Sequence, residues 1–475
     1  MNLKKIDKKN IIIFLIPFCL FLFLLLVFYP GIITYDGNNQ WQQIVNNNIN
    51  NGHPFFSTFF MLLLSKIWNF PTVVLIFQVF IFSYFWTYIC KTIRKNNQNC
   101  FKKELIYTII ISLIPIISLY SITLWKDILY SYYLMFVIYY IYKGIKNSFN
   151  YSVIEIFNIG LLIALIFNYR HNGMVTSILL FTMFIILFIK QKIGIKKIFI
   201  IILTFMSLNI LIYIPKNIYL EKDSTENEQV KENIGSIDSY IVWMYGAHLT
   251  DNNIDDEDLK ELNKIIPIEK WQELYNPYLV NSIGIYEKDA KYYNENKNYF
   301  RKIFIEYSLK NPGTIIKHYL KADSLLWSPI PLKNEYVYSF DYTDWWPKYE
   351  FNNGEFYGYD GINLKFPTIK KIVEKTTSYT LYFPFKLFYQ PANALYVSVL
   401  IIYLLIKQNK DKKYWLLLMP SVLNLIPLIP TNLAQDLRYV YINYLTLLVI
   451  ILIFICEYDF SKIKIFRNKY KNKIS

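Results

Sequence analysis

The feature that most constrains this chain is a series of apolar blocks, each roughly 17–20 residues long, which is the length a helix needs to cross a hydrocarbon core. Of its 475 residues, 54% are hydrophobic and only 18% are charged, whereas soluble chains carry about 25% charged residues. This composition excludes a soluble enzyme, a secreted domain and a disordered chain. The sequence therefore predicts an all-α polytopic membrane protein.

About ten transmembrane helices are expected. They are a first helix ending at Phe28 and segments near 71–90, 104–122, 128–143, 152–169, 174–190, 198–214, 391–407, 414–430 and 437–457. The N-terminal block lacks a small-x-small cleavage site, which indicates an uncleaved helix rather than a removed signal peptide. Residues 54–68 are apolar but short, so they are predicted to form an interfacial or re-entrant helix.

The positive charge follows the same organisation. The net charge is +15, and the basic residues gather in short runs between apolar blocks at Lys4–Lys9, Lys91–Lys103, Lys190–Lys197, Lys407–Lys413 and Lys462–Lys473. Short basic loops beside apolar spans face the cytoplasm. We therefore expect a multi-pass protein of the cytoplasmic membrane with both termini inside, in contact with lipid and not with nucleic acid.

Three units follow from this topology. Residues 1–214 form an N-terminal transmembrane module whose outer loops carry the candidate catalytic residues. Residues 215–390 form a large, mixed extracytoplasmic domain with interfacial helices. Residues 391–475 form a C-terminal transmembrane module with a basic cytoplasmic tail. None of the four cysteines falls in the middle unit, so no disulfide is expected within that unit, and the spacing of the cysteines is not of a metal-binding type.

The middle unit changes composition along its length. It is acidic at 221–232 and 251–261, and very aromatic between 327 and 359. Residues 300–327 place apolar side chains at helical spacing on both sides of Asn311-Pro312-Gly313. That pattern predicts a broken amphipathic helix lying on the membrane.

Polar and ionisable side chains accumulate in the loops expected outside. They are Asp36, Gln40, Trp41, His53, Lys126, Asp127, Arg170, Asn172, Asp436, Arg438 and Tyr439. Taken singly, each has an ordinary explanation as a helix cap, a surface ion pair or a side chain reaching the lipid headgroups. Because the outer ends of at least five spans bring these residues to one level of the membrane, the residues are predicted to form a single site.

Carboxylates and fixed cations at the outer surface suit transfer of a sugar from a lipid-linked phosphate. A cation stabilises the charge that develops on the leaving phosphate, and a carboxylate deprotonates the acceptor hydroxyl. Aromatic faces suit sugar rings, and the lipid tail needs a groove between helices.

The residues carry a resemblance that agrees with this chemistry. Tyr29-Pro30-Gly31, Tyr35-Asp36, Gln40-Trp41 and Gly52-His53-Pro54 resemble the first outer loop of the GT-C superfamily of membrane glycosyltransferases. Further similarity to a bacterial branch of that superfamily lies in Trp125-Lys126-Asp127, Arg170 with Asn172-Gly173, and Asp436-Leu437-Arg438-Tyr439.

The resemblance implies a GT-C-like helical bundle, a polyprenyl-phosphate sugar donor and inversion at the anomeric carbon. It makes Asp36 the general base and gives Asp127 the second acidic, catalytic position, with a divalent cation as an optional cofactor whose ligands it leaves unknown. The remaining residues of the set become substrate-binding.

Two other functions stay open on the sequence. A polysaccharide polymerase or ligase also has about ten spans and a large outer loop. Such a protein would be expected to rely on arginines in its outer loops, whereas the first outer loop here carries an acid and no arginine. A flippase or transporter for lipid-linked saccharides would place ionisable residues near the bilayer midplane. The favoured interpretation is a glycosyltransferase acting on a cell-envelope glycan or a lipid-linked acceptor.

Overall fold

The computed structural model describes residues 7–97, 100–221, 234–251, 254–280, 283–284, 286–332, 365–379, 382 and 384–459. The N-terminal part contains α1 (Lys8–Val27), α2 (Tyr35–Val45), α3 (Phe55–Ser65), α4 (Thr72–Asn96), α5 (Phe101–Leu113), α6 (Pro115–Ser121), α7 (Lys126–Lys146), α8 (Val153–Tyr169), α9 (Gly173–Lys190) and α10 (Ile195–Glu221). Two short strands lie between these helices: β1 (Ile32–Ile33) follows α1, and β2 (Thr123–Leu124) follows α6.

The helices that follow α10 are mostly short until the chain returns to the bundle. They are α11 (Ser236–Thr250), α12 (Asp256–Asn263), α13 (Ile268–Leu274), α14 (Ala290–Glu295), α15 (Lys297–Lys310), α16 (Pro312–Ala322), α17 (Ser324–Trp327), α18 (Pro367–Ser378), α19 (Phe385–Phe388), α20 (Pro391–Asn409), α21 (Met419–Leu428) and α22 (Tyr441–Glu457). Tight 3₁₀ turns flank α21 at Lys412–Leu418 and Ile429–Thr431, and precede α22 at Leu437–Val440.

Among the residues that the structure describes, eight helical segments are long and apolar enough to cross a membrane, which confirms a mostly helical, multi-pass membrane protein. They are α1, α4, α7, α9, α10, α20, the run Lys412–Thr431 and the run Leu437–Glu457. The two other expected spans also correspond to helices. The segment near 104–122 is the pair α5 and α6, bent by 70°, and the segment near 152–169 is α8, which has 17 residues.

The bend between α5 and α6 has a local cause. Pro115 is the first residue of α6, where its missing N–H costs nothing. Its ring disfavours a helical conformation at Ile114, which is extended at ψ 120°. A hydropathy profile averages over this break, so the two helices were predicted as one span.

Helix α7 is the centre of the bundle. It is almost entirely buried and packs against α4, α8 and α22. Large aromatic side chains such as Tyr130, Tyr132 and Tyr142 are buried along it. A helix that is buried all round is expected to be apolar on every face, and its position makes α7 the scaffold on which the ends of the other helices are placed.

The two ends of the bundle differ in character. At one end, Arg94 near the end of α4 pairs with Asp7 before α1 and with Glu104 of α5, while Tyr142 donates to Glu457 at the end of α22. We call this the basic end, because the basic runs within the described residues lie there. At the other end, Thr72 at the start of α4 donates to the carbonyl of Pro30 after α1. We call this the Asp36 end.

A parallel strand pair lies at the Asp36 end, an element that the all-α prediction did not contain. Ile32 pairs with Thr123 and Ile33 with Leu124. The side-chain amide of Gln78 on α4 donates to the carbonyls of residues 120, 121 and 123 at 2.9–3.2 Å, which fixes β2 on the bundle. The pairing brings the start of α2 beside the start of α7.

Described residues between 234 and 322 have a hydrophobic core of their own, built around Trp243, Trp271 and Phe300. We call this part the inserted domain. The described residues between 366 and 459 pack on the bundle instead, with Phe366 and Val373 against its core. The predicted 215–390 unit therefore combines a separate core with a segment that belongs to the bundle.

The break expected near Asn311-Pro312-Gly313 is present, because α15 ends at Lys310 and α16 begins at Pro312. Most of the predicted acidic segment 221–232, most of the aromatic stretch 327–359 and the basic tail lie outside the described residues. The expectation that α15 and α16 lie on the membrane stays a prediction, as does the interfacial position of α3, an 11-residue helix.

Candidate functional site

The start of α2 is pressed against β2, and this positions Asp36. The Thr34 hydroxyl donates to the Leu124 carbonyl at 2.9 Å and accepts from the Gly37 N–H at 3.1 Å, so it caps α2. A Cβ on Gly37 would lie 2.3 Å from the Leu124 carbonyl oxygen. The residue after Asp36 must therefore be glycine for α2 to approach β2 this closely.

Asp36 is held between two cations from distant parts of the chain. Its Oδ2 lies 2.7 Å from Arg438 Nη1 and 3.3 Å from Lys126 Nζ, and its side chain is 25% exposed. Burial by itself would raise the pKa of Asp36, but the charges of Arg438 and Lys126 outweigh it and hold the pKa well below its usual range. Asp36 is thus a reachable, permanently charged carboxylate at neutral pH.

Asp127 lies beside this pair but is shielded. Its Oδ1 is 3.0 Å from Arg170 Nε, and its side chain is only 2% exposed. The Arg170 guanidinium packs against the rings of Tyr439 at 4.8 Å and Tyr130 at 5.7 Å. The two acids that the sequence grouped as catalytic therefore differ, since Asp36 faces a solvent-accessible space and Asp127 faces Arg170.

Arg438 links Asp36 to a third acid, Asp436. Asp436 Oδ2 lies 3.0 Å from Arg438 Nε, and its Oδ1 accepts from the backbone N–H of Arg438 at 3.0 Å. Burial raises the pKa of Asp436, and the charge of Arg438 opposes that effect. The Arg438 guanidinium also packs 5.0 Å from the ring centres of both Trp125 and Tyr439. These contacts fix the plane in which Arg438 presents its N–H groups.

His53 completes the charged cluster. Its Nδ1 lies 3.4 Å from Lys126 Nζ. Burial, followed by the charge of Lys126, lowers the pKa of His53 to about 4, so the imidazole is neutral at pH 7. A neutral ring beside a lysine can accept a hydrogen bond from it without adding a like charge.

Three residues of the predicted set serve to pack elements at this end. Gln40 donates to the hydroxyls of Ser57 at 2.8 Å and Thr58 at 3.0 Å on α3. Trp41 is 3% exposed and belongs to the core of the bundle. Asn172 donates to the Thr431 hydroxyl at 3.0 Å. Their substrate-binding role stays a prediction.

Asn424 is a site residue that the sequence analysis missed. It accepts from the Tyr130 hydroxyl at 2.8 Å and donates to the Tyr439 backbone carbonyl at 3.1 Å, so it joins the two residues whose rings flank Arg170. The signal that could have found it is a lone amide inside an apolar span, where polar groups are costly unless they are paired.

The segment 431–436 carries both the site and the attachment of the inserted domain. Tyr240 donates to the Thr431 carbonyl. Asn432 donates to the Ala322 carbonyl at 2.9 Å, and Gln435 donates to the Lys321 carbonyl at 2.8 Å. The inserted domain is therefore docked directly beside Asp436 and Arg438.

The divalent cation implied by the GT-C resemblance does not fit this arrangement. Each of the three carboxylates faces an arginine or lysine at 2.7–3.3 Å. Among the described residues, no three potential ligands from this cluster come within 4.8 Å of one another. Arg438 and Lys126 already supply the positive charge that a metal ion would bring, so no step is assigned to one.

Comparisons of the chain with protein-family models, with curated proteins and with solved structures gave no match. The conclusions on function therefore depend on the geometry of this cluster and on general chemistry.

Proposed function

We propose that the protein is a GT-C-like membrane glycosyltransferase that moves a sugar from a polyprenyl-phosphate donor to a cell-envelope glycan or lipid-linked acceptor. The observation that carries the proposal is the position of Asp36. A half-buried, accessible carboxylate lies between two cations, Arg438 and Lys126, at one end of a membrane-spanning bundle. These are the groups needed to activate a hydroxyl and to stabilise a leaving phosphate.

In the structure Arg438 and Lys126 neutralise Asp36, and this arrangement makes Asp36 a weak base. The phosphate of a bound donor competes for the same two cations. Once they turn to the phosphate, the burial of Asp36 is no longer compensated and its pKa rises. Donor binding thereby prepares the base that the second substrate needs.

The transfer step then follows from these positions. Asp36 takes the proton of the acceptor hydroxyl, and the acceptor oxygen forms a bond to the anomeric carbon. The bond between that carbon and the phosphate oxygen breaks, and the electron pair leaves with the phosphate, whose charge Arg438 and Lys126 stabilise. Attack opposite the leaving phosphate inverts the anomeric configuration.

Asp127 has a different role in this proposal from the one the resemblance implies. Its buried carboxylate pairs with Arg170, which in turn packs on Tyr439 next to Arg438. We infer that Asp127 is a positioning residue, which fixes Arg170 and the ring that supports Arg438.

The orientation in the membrane is also proposed. The basic end faces the cytoplasm, together with both termini, and the Asp36 end faces outward. Lipid-linked sugars are presented at headgroup height on that side, where water-soluble nucleotide sugars are not expected. Labelling of single cysteines introduced at each end, with a membrane-impermeant maleimide on intact cells, tests this orientation.

A transporter mechanism has less support than a transferase. In the spanning helices, every Asp, Glu, Lys and Arg lies within about two turns of a helix end. Transport pathways instead place ionisable residues near the midplane of the bilayer. The polymerase or ligase alternative would use the same kind of cluster on a pyrophosphate-linked saccharide.

The experiment is sugar transfer by the purified full-length protein, with undecaprenyl-phosphate sugars as donors and envelope extract as acceptor. We expect transfer by the wild type and none by Asp36→Asn, while Asp256→Asn, an exposed acid of the inserted domain, keeps the wild-type rate. Wild-type transfer by Asp36→Asn would refute the assignment of the base. Activity only with pyrophosphate-linked saccharides would favour the polymerase or ligase function over the proposed transferase.

A further inference from the structure

A second cluster of reactive side chains lies at the basic end, at the opposite end of the bundle from Asp36. The Sγ atoms of Cys100 and Cys456 and a carboxylate oxygen of Glu104 all lie within 4.8 Å of one another. Cys100 directly precedes α5, Glu104 lies in the first turn of α5, and Cys456 lies in the last turn of α22. The two cysteines are 356 positions apart, so only the fold brings them together.

Glu104 is the unusual member of this cluster. Its side chain is completely buried, and its Oε2 lies 2.5 Å from Arg94 Nη1. Its other oxygen, Oε1, has no hydrogen-bond partner among the residues that the structure describes. A buried carboxylate oxygen without a partner is costly, which indicates that this atom faces a group that the described residues do not provide.

We propose that Cys100, Cys456 and Glu104 bind a thiophilic divalent metal ion of the Zn²⁺ class. Two thiolates and one carboxylate are ligands that Zn²⁺ accepts. With both thiols deprotonated, the three ligands carry three negative charges and the ion two positive ones. The remaining negative charge is balanced by Arg94, so the buried site is neutral as a whole. Binding releases the two thiol protons to water.

The metal can enter from the side of Cys456, which is half-buried, whereas Cys100 is 2% exposed. Water can occupy the fourth position of a tetrahedral site on that side. Once bound, the ion would join the start of α5 to the end of α22, next to the hydrogen bond of 2.8 Å from Lys103 to the Ile455 carbonyl. It would thus tie the N-terminal module to the C-terminal one.

In the structure the sulfurs of Cys100 and Cys456 are joined as a disulfide, so the metal site requires this pair in its reduced form. Two observations favour the metal. A disulfide leaves the Glu104 oxygen without a partner, and the basic runs place this end in the cytoplasm by the positive-inside rule, where thiols are kept reduced. The metal site does not depend on the proposed glycosyl transfer.

The test is titration of the reduced full-length protein with Co²⁺, followed by the thiolate-to-cobalt charge-transfer absorption, and then displacement by Zn²⁺. We expect one equivalent to bind. Cys456→Ser should abolish the absorption band, and Glu104→Gln should weaken binding by at least about tenfold. Cys19→Ser, at an exposed thiol outside the cluster, should bind as the wild type does.

Three results would overturn the proposal. The first is a reduced wild-type protein that gives no thiolate-to-cobalt band. The second is a Glu104→Gln variant that binds Co²⁺ with unchanged affinity. The third is mass spectrometry of protein alkylated in intact cells that finds Cys100 and Cys456 linked as a disulfide.

Discussion

Removal of Arg170 should destabilise the protein far more than removal of a surface cation. In Arg170→Leu the carboxylate of Asp127 loses the guanidinium 3.0 Å away while its side chain stays only 2% exposed. Breaking a buried pair from one side costs about 3–5 kcal/mol, because the partner charge remains without compensation. Loss of the cation–π contacts with Tyr439 and Tyr130 adds about 2 kcal/mol, the size of such contacts when they are removed from water.

A second substitution separates the cost of leaving Asp127 charged and unpaired from the contribution of the ion pair itself to stability. In the double variant Arg170→Leu with Asp127→Asn, no charge is left buried, and we expect most of the lost stability to return. The matched control is Lys317→Ala in the inserted domain. This change breaks an ion pair in which the Lys317 side chain is 61% exposed and the Asp251 side chain is 30% exposed. That change should cost less than about 1 kcal/mol.

The assay is the free energy of unfolding in detergent micelles, followed by tryptophan fluorescence. The reasoning fails if Arg170→Leu is no less stable than Lys317→Ala. It also fails if the double variant is as unstable as Arg170→Leu alone, because the cost would then lie in lost packing and not in the buried charge of Asp127.

Three further predictions concern neighbouring features. Gly37→Ala should cost about 1–3 kcal/mol of stability, measured by unfolding, because the new Cβ meets a backbone carbonyl at 2.3 Å, while Gly194→Ala, with open space around it, should be neutral. Arg438 holds the pKa of Asp36 low, so wild-type kcat/KM should not fall through protonation of Asp36 as the pH is lowered from about 7 to 5. In Arg438→Gln the pKa of Asp36 rises, and this fall in kcat/KM should appear at higher pH than in the wild type. Burial raises the pKa of Asp323 to about 7, so stability should fall as pH rises from about 4 to about 7, and the unfolding temperature of Asp323→Asn should lack this fall.

Much of the bundle could be predicted because apolar length is a local property. Each block long enough to span became helical, the block near 104–122 as two helices, and the short block at 54–68 became the 11-residue α3. The kink at Pro115 was not predicted although the proline is visible, since hydropathy alone does not register the restriction that a proline ring places on the residue before it. The strand pair β1–β2 was missed because two residues per strand carry no readable alternation.

The grouping of candidate site residues was also predictable in part. Topology placed Asp36, Lys126, Asp127, Arg170 and Arg438 at one end, and the structure brings them into ion-pair contact. Topology could not decide which acid meets which cation. That choice depends on the pairing of β1 with β2 and on the rotation of α7, and these set Asp36 toward solvent and Asp127 toward Arg170.

The sequence by itself determined a multi-pass helical protein with polar residues concentrated at one end, because spans and basic loops follow from the transfer of local segments between water and lipid. Only the tertiary structure decided the contacts between residues that are far apart in the chain. Asp36 meets Arg438 across 402 positions, and Cys100 meets Cys456 across 356. Such contacts depend on how the helices pack, and no local pattern of residues encodes that packing.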